Sequence, residues 1–333
     1  MSTQYRLRKK QRGVEKVSKV KWKVIFLVFG LLTLLIAAGC GSENDTGSND
    51  ESDANESESN ATEDMNYSKA VDYTITGIEP GAGISVTTEK ALEEYDSLKG
   101  WTAMFSSTAG LISELDTAME NEEPIIITGW NPHWMFAKYP DMKYLEDPKG
   151  VYGETEMIKT LARKGLKDEM PNAYKLLDQF HWEVEDMEGI MNDAQESGEE
   201  IETIAEKWVE ENQDKVDEWT EGVEEVDGES IELVSTPWDS ERASSGVIKA
   251  VMEQLGYDVT VTPVDIAIMF ESVANGDGDA TLAAWLPLTH NDFYEKYKDQ
   301  IDDLGENLNG AKIGLVVPAY MDIDSIEDLE ANE

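Results

Sequence analysis

The stretch IELVSTPWDSERASSGVIKAVMEQLGYDVTVTPV (231–264) carries the pattern of a strand, a helix and a second strand in succession. IELVST (231–236) is a short apolar run of residues that suit a pleated sheet, and DVTVTPV (258–264) is another. Between them Val247, Ile248, Val251, Met252 and Leu255 recur at helical spacing, which aligns them along one face. Two parallel strands cannot be joined by a tight turn, so a helix is the expected crossover. The pattern continues through a short helix around Ile268–Val273, a strand ATLAA (280–284), a helix beginning near His290 and a strand KIGLVV (312–317). Such alternation with short connections predicts a parallel sheet covered on both faces.

Upstream of this stretch the pattern is looser. TITGI (74–78) reads as a strand, EPGAG as a turn and VTTEKALEEY as a helix, with PIIIT (124–128) as a second buried strand. From Glu154 to about Gly222 the spacing turns helical, with Ile201, Ile204, Ala205, Trp208 and Val209 on one face, and VEEVDGES (223–230) reads as a linker. The roughly 265 residues involved are too many for one ordinary core. An α/β chain of two lobes, 68–225 and 226–333, is expected, joined as a hinged clamshell.

The first forty residues concern location. Arg6, Arg8, Lys9, Lys10, Arg12, Lys16, Lys19, Lys21 and Lys23 precede the apolar run VIFLVFGLLTLLIAA (24–38), then Gly39 and Cys40. That run falls short of the ~20 residues that span a bilayer, and with its basic flank it predicts a secretory signal peptide over 1–39. AAGC (37–40) resembles the lipobox of bacterial lipoproteins, which implies lipidation of Cys40 and anchoring on the extracellular face of the cell membrane. Cys40 is the only cysteine, so no disulfide framework and no thiol enzyme is expected. Residues 40–67 are Ser, Asn, Asp and Glu with almost no apolar side chain, and are expected to be a disordered acidic tether.

The signal region holds nine of the 27 Lys and Arg but one of the 70 Asp and Glu, so the remainder has a formal net charge near −51. A surface that acidic repels phosphate backbones, and nucleic acid is excluded as a partner.

Three tryptophans stand out: Trp130 in ITGWNPHW, Trp238 in STPWDSERAS and Trp285 in TLAAWLPLTH. Each ends an apolar, strand-like run, where an α/β sheet opens onto its ligand crevice. Indole faces attract cations, above all a quaternary ammonium that cannot donate hydrogen bonds. A cage for a methylated ammonium compound is the leading expectation.

The segments ITGIEPGAGIS, PIIITGWNPHWMFAKYPDMKYLEDP, PWDSERAS, ATLAAWLPLTH and KIGLVVPAYM resemble the substrate-binding lipoprotein of glycine betaine/proline betaine ABC importers. The likeness covers essentially all of 70–333. It implies a two-lobed, type II periplasmic-binding-protein-like fold with circularly permuted lobe order, because the PGAGIS and GWNPHW lobe precedes the PWDSE lobe. It also implies a three-indole cage at Trp130, Trp238 and Trp285, with the ligand carboxylate on the backbone N–H groups of Gly83 and Ile84 and on His290. The residues themselves suit those roles: a Gly-containing turn feeding a helix presents unpaired N–H donors and partial positive charge. A monomer serving a membrane permease with a separate ATPase subunit in osmoprotectant uptake is the corresponding biology.

Plainer readings stand beside these. Trp101, Trp182, Trp208 and Trp219 sit among apolar neighbours and read as packing, while Trp134 is open between core and cleft. His290 also reads as a surface histidine, and His133 and His181 as structural. The histidines lack metal-ligand spacing, GxxxxGK[ST] is missing and so is G-x-S-x-G, so no catalytic residue, metal or cofactor is expected. The competing classes are a tethered enzyme using Ser85 or Ser240 and a surface protein whose indoles grip a polymer. Within the binding class, carnitine or choline is the alternative ligand.

Overall fold

The computed structural model describes residues 65–332; the expected signal peptide, Cys40 and nearly all of the tether lie outside the described residues. Nine strands run through the described part: β1 (Thr74–Gly77), β2 (Thr102–Phe105), β3 (Ile127–Asn131), β4 (Met142–Tyr144), β5 (Glu156–Arg163), β6 (Ser230–Ser235), β7 (Asp258–Pro263), β8 (Ala280–Leu286) and β9 (Ile301–Pro318). They join in the order β2-β1-β3-β9-β5-β8-β6-β7, with β4 beside β9.

Two wings of the same topology share this path. In the first, β1 lies between the parallel strands β2 and β3, and β9 runs antiparallel beside β3. In the second, β6 lies between the parallel strands β7 and β8, and β5 runs antiparallel beside β8. The long strand β9 belongs to both wings. Its first part pairs with β5 as far as Ala311, and from Lys312 it pairs with β3 and then β4. Gly305 and Gly310 take φ of +98° and +96°, a left-handed backbone open to glycine, where the strand bends along its irregular ladder with β5.

Several expectations need correction. The lobe boundary at 225/226 does not coincide with the break between the wings, which falls before β5 and again at Ala311/Lys312. Glu156–Arg163, expected as helix, is a strand paired on both edges. EMIKTLAR is made of helix formers, but its buried Glu156, Ile158 and Thr160 alternate along one face, and tertiary pairing overrides propensity. The helices Val184–Ser197 and Ile201–Glu211 pack on the helix Asp239–Gln254 and so belong to the second wing. KIGLVV (312–317), expected in the second lobe, is the part of β9 that completes the first. The supposed linker is tied down by Val226 N–H donating to Leu255 O (2.8 Å) and Gly228 N–H to Gly256 O (2.9 Å). The parallel arrangement holds for three strands of each wing, while β5 and β9 are antiparallel.

The remaining tryptophans pack as their neighbours suggest. Trp182, Trp208 and Trp219 form an aromatic cluster with Phe180, and Trp101 meets Tyr73 edge-on while donating Nε1–H to Glu330 O (2.8 Å). Among the described residues no helix is long and apolar enough to cross a membrane.

Candidate ligand-binding site

The carboxyl ends of β1, β3, β6 and β8 face one cavity, lined by Ala82, Gly83, Ile84, Trp130, Trp238, Ser240, Trp285, Thr289 and His290, with Ile78 and Ile313 beneath. The space there, counting what is open to solvent, is about 330 Å³. Crevices beyond the carboxyl ends of parallel strands, where the order reverses around a central strand, are where open α/β sheets place ligands. All six residues singled out in the folded part, Gly83, Ile84, Trp130, Trp238, Trp285 and His290, meet there.

The first wing contributes a helix start. After β1 the chain turns at Gly81 (φ +88°) and enters the helix Gly83–Glu94, whose Ala82 N-cap has no side-chain cap and whose first turn has no acidic residue. The first helical hydrogen bond runs from Val86 N–H to Ala82 O (3.0 Å), leaving the N–H groups of Gly83, Ile84 and Ser85 at the open end. A side chain at position 83 would not fit: a Cβ there would lie 2.4 Å from Thr289 Cγ2 and 2.6 Å from Thr289 O. The two wings therefore pack together tightly at a glycine.

The second wing supplies the loop that touches it. Glu156, buried at the base of β5, accepts the N–H groups of Leu288 (2.6 Å) and Thr289 (2.8 Å) and the Thr289 hydroxyl, which holds the turn between β8 and the helix Asn291–Tyr297. His290 Nδ1 accepts the N–H of Trp285 (3.0 Å), so its remaining hydrogen sits on Nε2. Burial lowers its pKa to about 3, which keeps the ring neutral. His290 is 1% exposed, so the surface-histidine reading is set aside.

The three indoles are held by their edges. Trp285 donates Nε1–H to Glu241 Oε1 at 2.8 Å, and Trp238, the N-cap of the helix Asp239–Gln254, donates to Glu79 Oε2 at 3.4 Å across the wings. The Trp238 ring lies nearly parallel to His290, centroids 6.5 Å apart. Trp130 meets His133 edge-on at 4.6 Å. Trp134 does not line the cavity; it is buried beside His133 and donates Nε1–H to Asp239 Oδ2 (2.9 Å), a second bond between the wings. His133 is buried with Nδ1 accepting Met135 N–H, whereas His181 is exposed.

Glu79, Glu156, Asp239 and Glu241 are the residues sequence reasoning passes over. In so acidic a chain a carboxylate carries no signal by itself; the usable clue was the acid pair Asp239 and Glu241 immediately after the cavity-lining Trp238 at a helix start.

A profile of the family described as "Substrate binding domain of ABC-type glycine betaine transport system" matches residues 48–211 and 229–333. The chain is similar to the glycine betaine/carnitine transport binding protein GbuC of Listeria monocytogenes, 48% identical over 265 residues, covering 79% of this chain and 88% of that protein. Among solved structures it is similar to lactococcal OpuAC in its closed form with glycine betaine, at 48% identity and a TM-score of 0.44, over 46% of this chain and 59% of that one. A choline-binding ABC transporter protein in complex with choline is more distant, at 26% identity and a TM-score of 0.40, over 57% of this chain and 61% of that one. With the family profile spanning most of its length, the chain belongs to the substrate-binding domains of ABC-type glycine betaine transport systems.

Proposed function

We propose that the chain captures glycine betaine between its two wings, with the trimethylammonium head among Trp130, Trp238 and Trp285. The carboxylate then rests on the N–H groups of Gly83 and Ile84 and on Nε2–H of His290. The observation that carries this reading is that one cavity is lined by three tryptophans, an uncapped helix start and a neutral histidine. Those two subsites match the two ends of a betaine.

Magnitudes are sufficient. A desolvated cation–π contact contributes about 2 kcal/mol, so three give about 6 kcal/mol gross. Charge-assisted hydrogen bonds add about 1.5–3 kcal/mol each before ordering costs. Micromolar affinity, about −8 kcal/mol, lies within that sum.

The family match and the Listeria relative support an importer role; in our reading the AAGC segment (37–40) anchors a lipidated Cys40 on the outer face of the membrane, and a permease coupled to a separate ATPase reads the closed monomer. A binder is favoured over a hydrolase because Ser85 donates to Ile78 O (3.5 Å) and Ser240 to Glu241, so neither serine is paired with a histidine in the described residues. Carnitine, named for the Listeria relative, is the second reading, since it too carries a trimethylammonium and a carboxylate. Titration of the chain with glycine betaine, carnitine and choline, followed by tryptophan fluorescence, tests the assignment. Saturable binding of glycine betaine, with choline much weaker for want of a carboxylate, is expected; equal affinity for both contradicts it.

A further inference from the structure

The helix starts of the two wings occupy equivalent places, each following the central strand, yet they differ in charge. The helix Gly83–Glu94 begins with no acid in its first turn, whereas the helix Asp239–Gln254 begins with Asp239 and Glu241. Glu241 is 1% exposed. One carboxylate oxygen accepts Trp285 Nε1–H at 2.8 Å and the other accepts the Ser240 hydroxyl. Trp285 and Ser240 both line the cavity, so the carboxylate lies directly behind its wall. A carboxylate that close to an indole N–H fixes the ring and draws its hydrogen outward, which enriches the ring face. A buried negative charge also acts through low dielectric on any cation in front of that face.

We propose that Glu241 is the positioning and polarising residue of the cage: it holds Trp285 in place and supplies the negative charge that makes this end of the cavity select a cation rather than a neutral group of the same shape. This rests on the glycine betaine reading above. Burial pushes the Glu241 carboxyl up to about 7, so below that pH the group holds a proton that a bound cation would expel. The other charged groups around it are Asp239 and Arg242 on its own helix, Glu202 of the helix Ile201–Glu211, which pairs with Arg242, and Lys249, while His290 is held neutral. Arg242 and Lys249 are each engaged by other carboxylates, leaving Glu241 as the acid bonded to the cage wall.

The test compares glycine betaine with 3,3-dimethylbutyrate, its uncharged-head isostere, by calorimetry on the wild type, Glu241→Gln and Glu241→Ala. Gln keeps an acceptor for Trp285 and removes the charge. In Glu241→Gln we expect glycine betaine to bind about tenfold more weakly, 3,3-dimethylbutyrate to bind no more weakly than in the wild type, and the fall in betaine affinity from pH 8 to pH 6 to flatten. Glu241→Ala should lose more, with Trp285 fluorescence broadened as the ring is released. If wild type binds glycine betaine and Glu241→Gln weakens both ligands equally, or neither, Glu241 is not the source of selectivity and the proposal fails alone. If wild type binds no betaine, the functional reading fails and takes this proposal with it. Thermal melts of both variants separate loss of fold from loss of binding.

Discussion

The two wings are built alike, but the starts of their corresponding helices differ in charge. Each places a central strand, then a turn into a helix, then a parallel strand ending in a tryptophan at the cavity: β1, Gly83 and Trp130 in the first, β6, Trp238 and Trp285 in the second. The first wing leaves its helix N–H groups bare and the second covers the same position with Asp239 and Glu241. A bare helix start attracts an anion, and an acid-covered one cancels that field and favours a cation. One repeated scaffold thus offers an environment suited to each end of a molecule with two charges, as the proposed function requires. The acids also tie the wings together, since Glu79 accepts Trp238 Nε1–H and Asp239 accepts Trp134 Nε1–H.

The harshest way to break this arrangement is Gly83→Ala, because the added methyl meets the backbone of Thr289 in the opposite wing. Loss of closure and at least about 3 kcal/mol of betaine affinity are expected, checked by calorimetry and by the radius of gyration with ligand present. Removing one indole is next: Trp238→Ala should weaken binding by about 2 kcal/mol, roughly thirtyfold, while circular dichroism stays unchanged.

Acid tests both wings at once, since each buries a neutral histidine. Burial lowers His133 and His290 to about 3, while in the unfolded chain each titrates near 6.5. Protons are therefore taken up on unfolding, and stability is lost as pH falls from about 6.5 toward 3. At pH 5.5 each histidine should account for about 1.4 kcal/mol of that loss. Melting temperature against pH for the wild type and His133→Gln measures the share from the first wing. Glu241 works with the opposite sign between its ordinary value and about 7, so the variant comparison rather than the bare slope carries the test. The smallest effect belongs to the bonds between wings: Asp239→Asn should cost about 0.5–1 kcal/mol of affinity and raise the ligand off-rate in stopped-flow fluorescence.

The stretch from β6 to β8 was far more legible in the sequence than the rest of its own wing. Its strands and the helix after β6 follow apolar periodicity closely, and β6, β7 and β8 lie within a few residues of IELVST, DVTVTPV and ATLAA. Strands β5 and β9 defeated the same reasoning. Glu156–Arg163 is written largely in helix formers, and Ile301–Ala311 is polar and broken by Gly305 and Gly310, so only their pairing with neighbouring strands explains them. Misplacing these two strands misplaced the boundary between the wings. The cavity survived that error because its residues sit at strand ends and helix starts, which local pattern reveals whichever wing they join. The acids behind the indoles were hidden, since nothing local distinguishes Glu241 from the solvated acids around it until Trp285 is brought against it from another strand.

Calorimetric titration of glycine betaine beside choline, which lacks the anionic end, and 3,3-dimethylbutyrate, which lacks the cationic one, probes the central claim. Micromolar binding of the betaine is predicted, with each single-charge analogue at least about tenfold weaker. Either analogue binding as tightly as the betaine would mean that the two helix starts do not divide the ligand's charges between them.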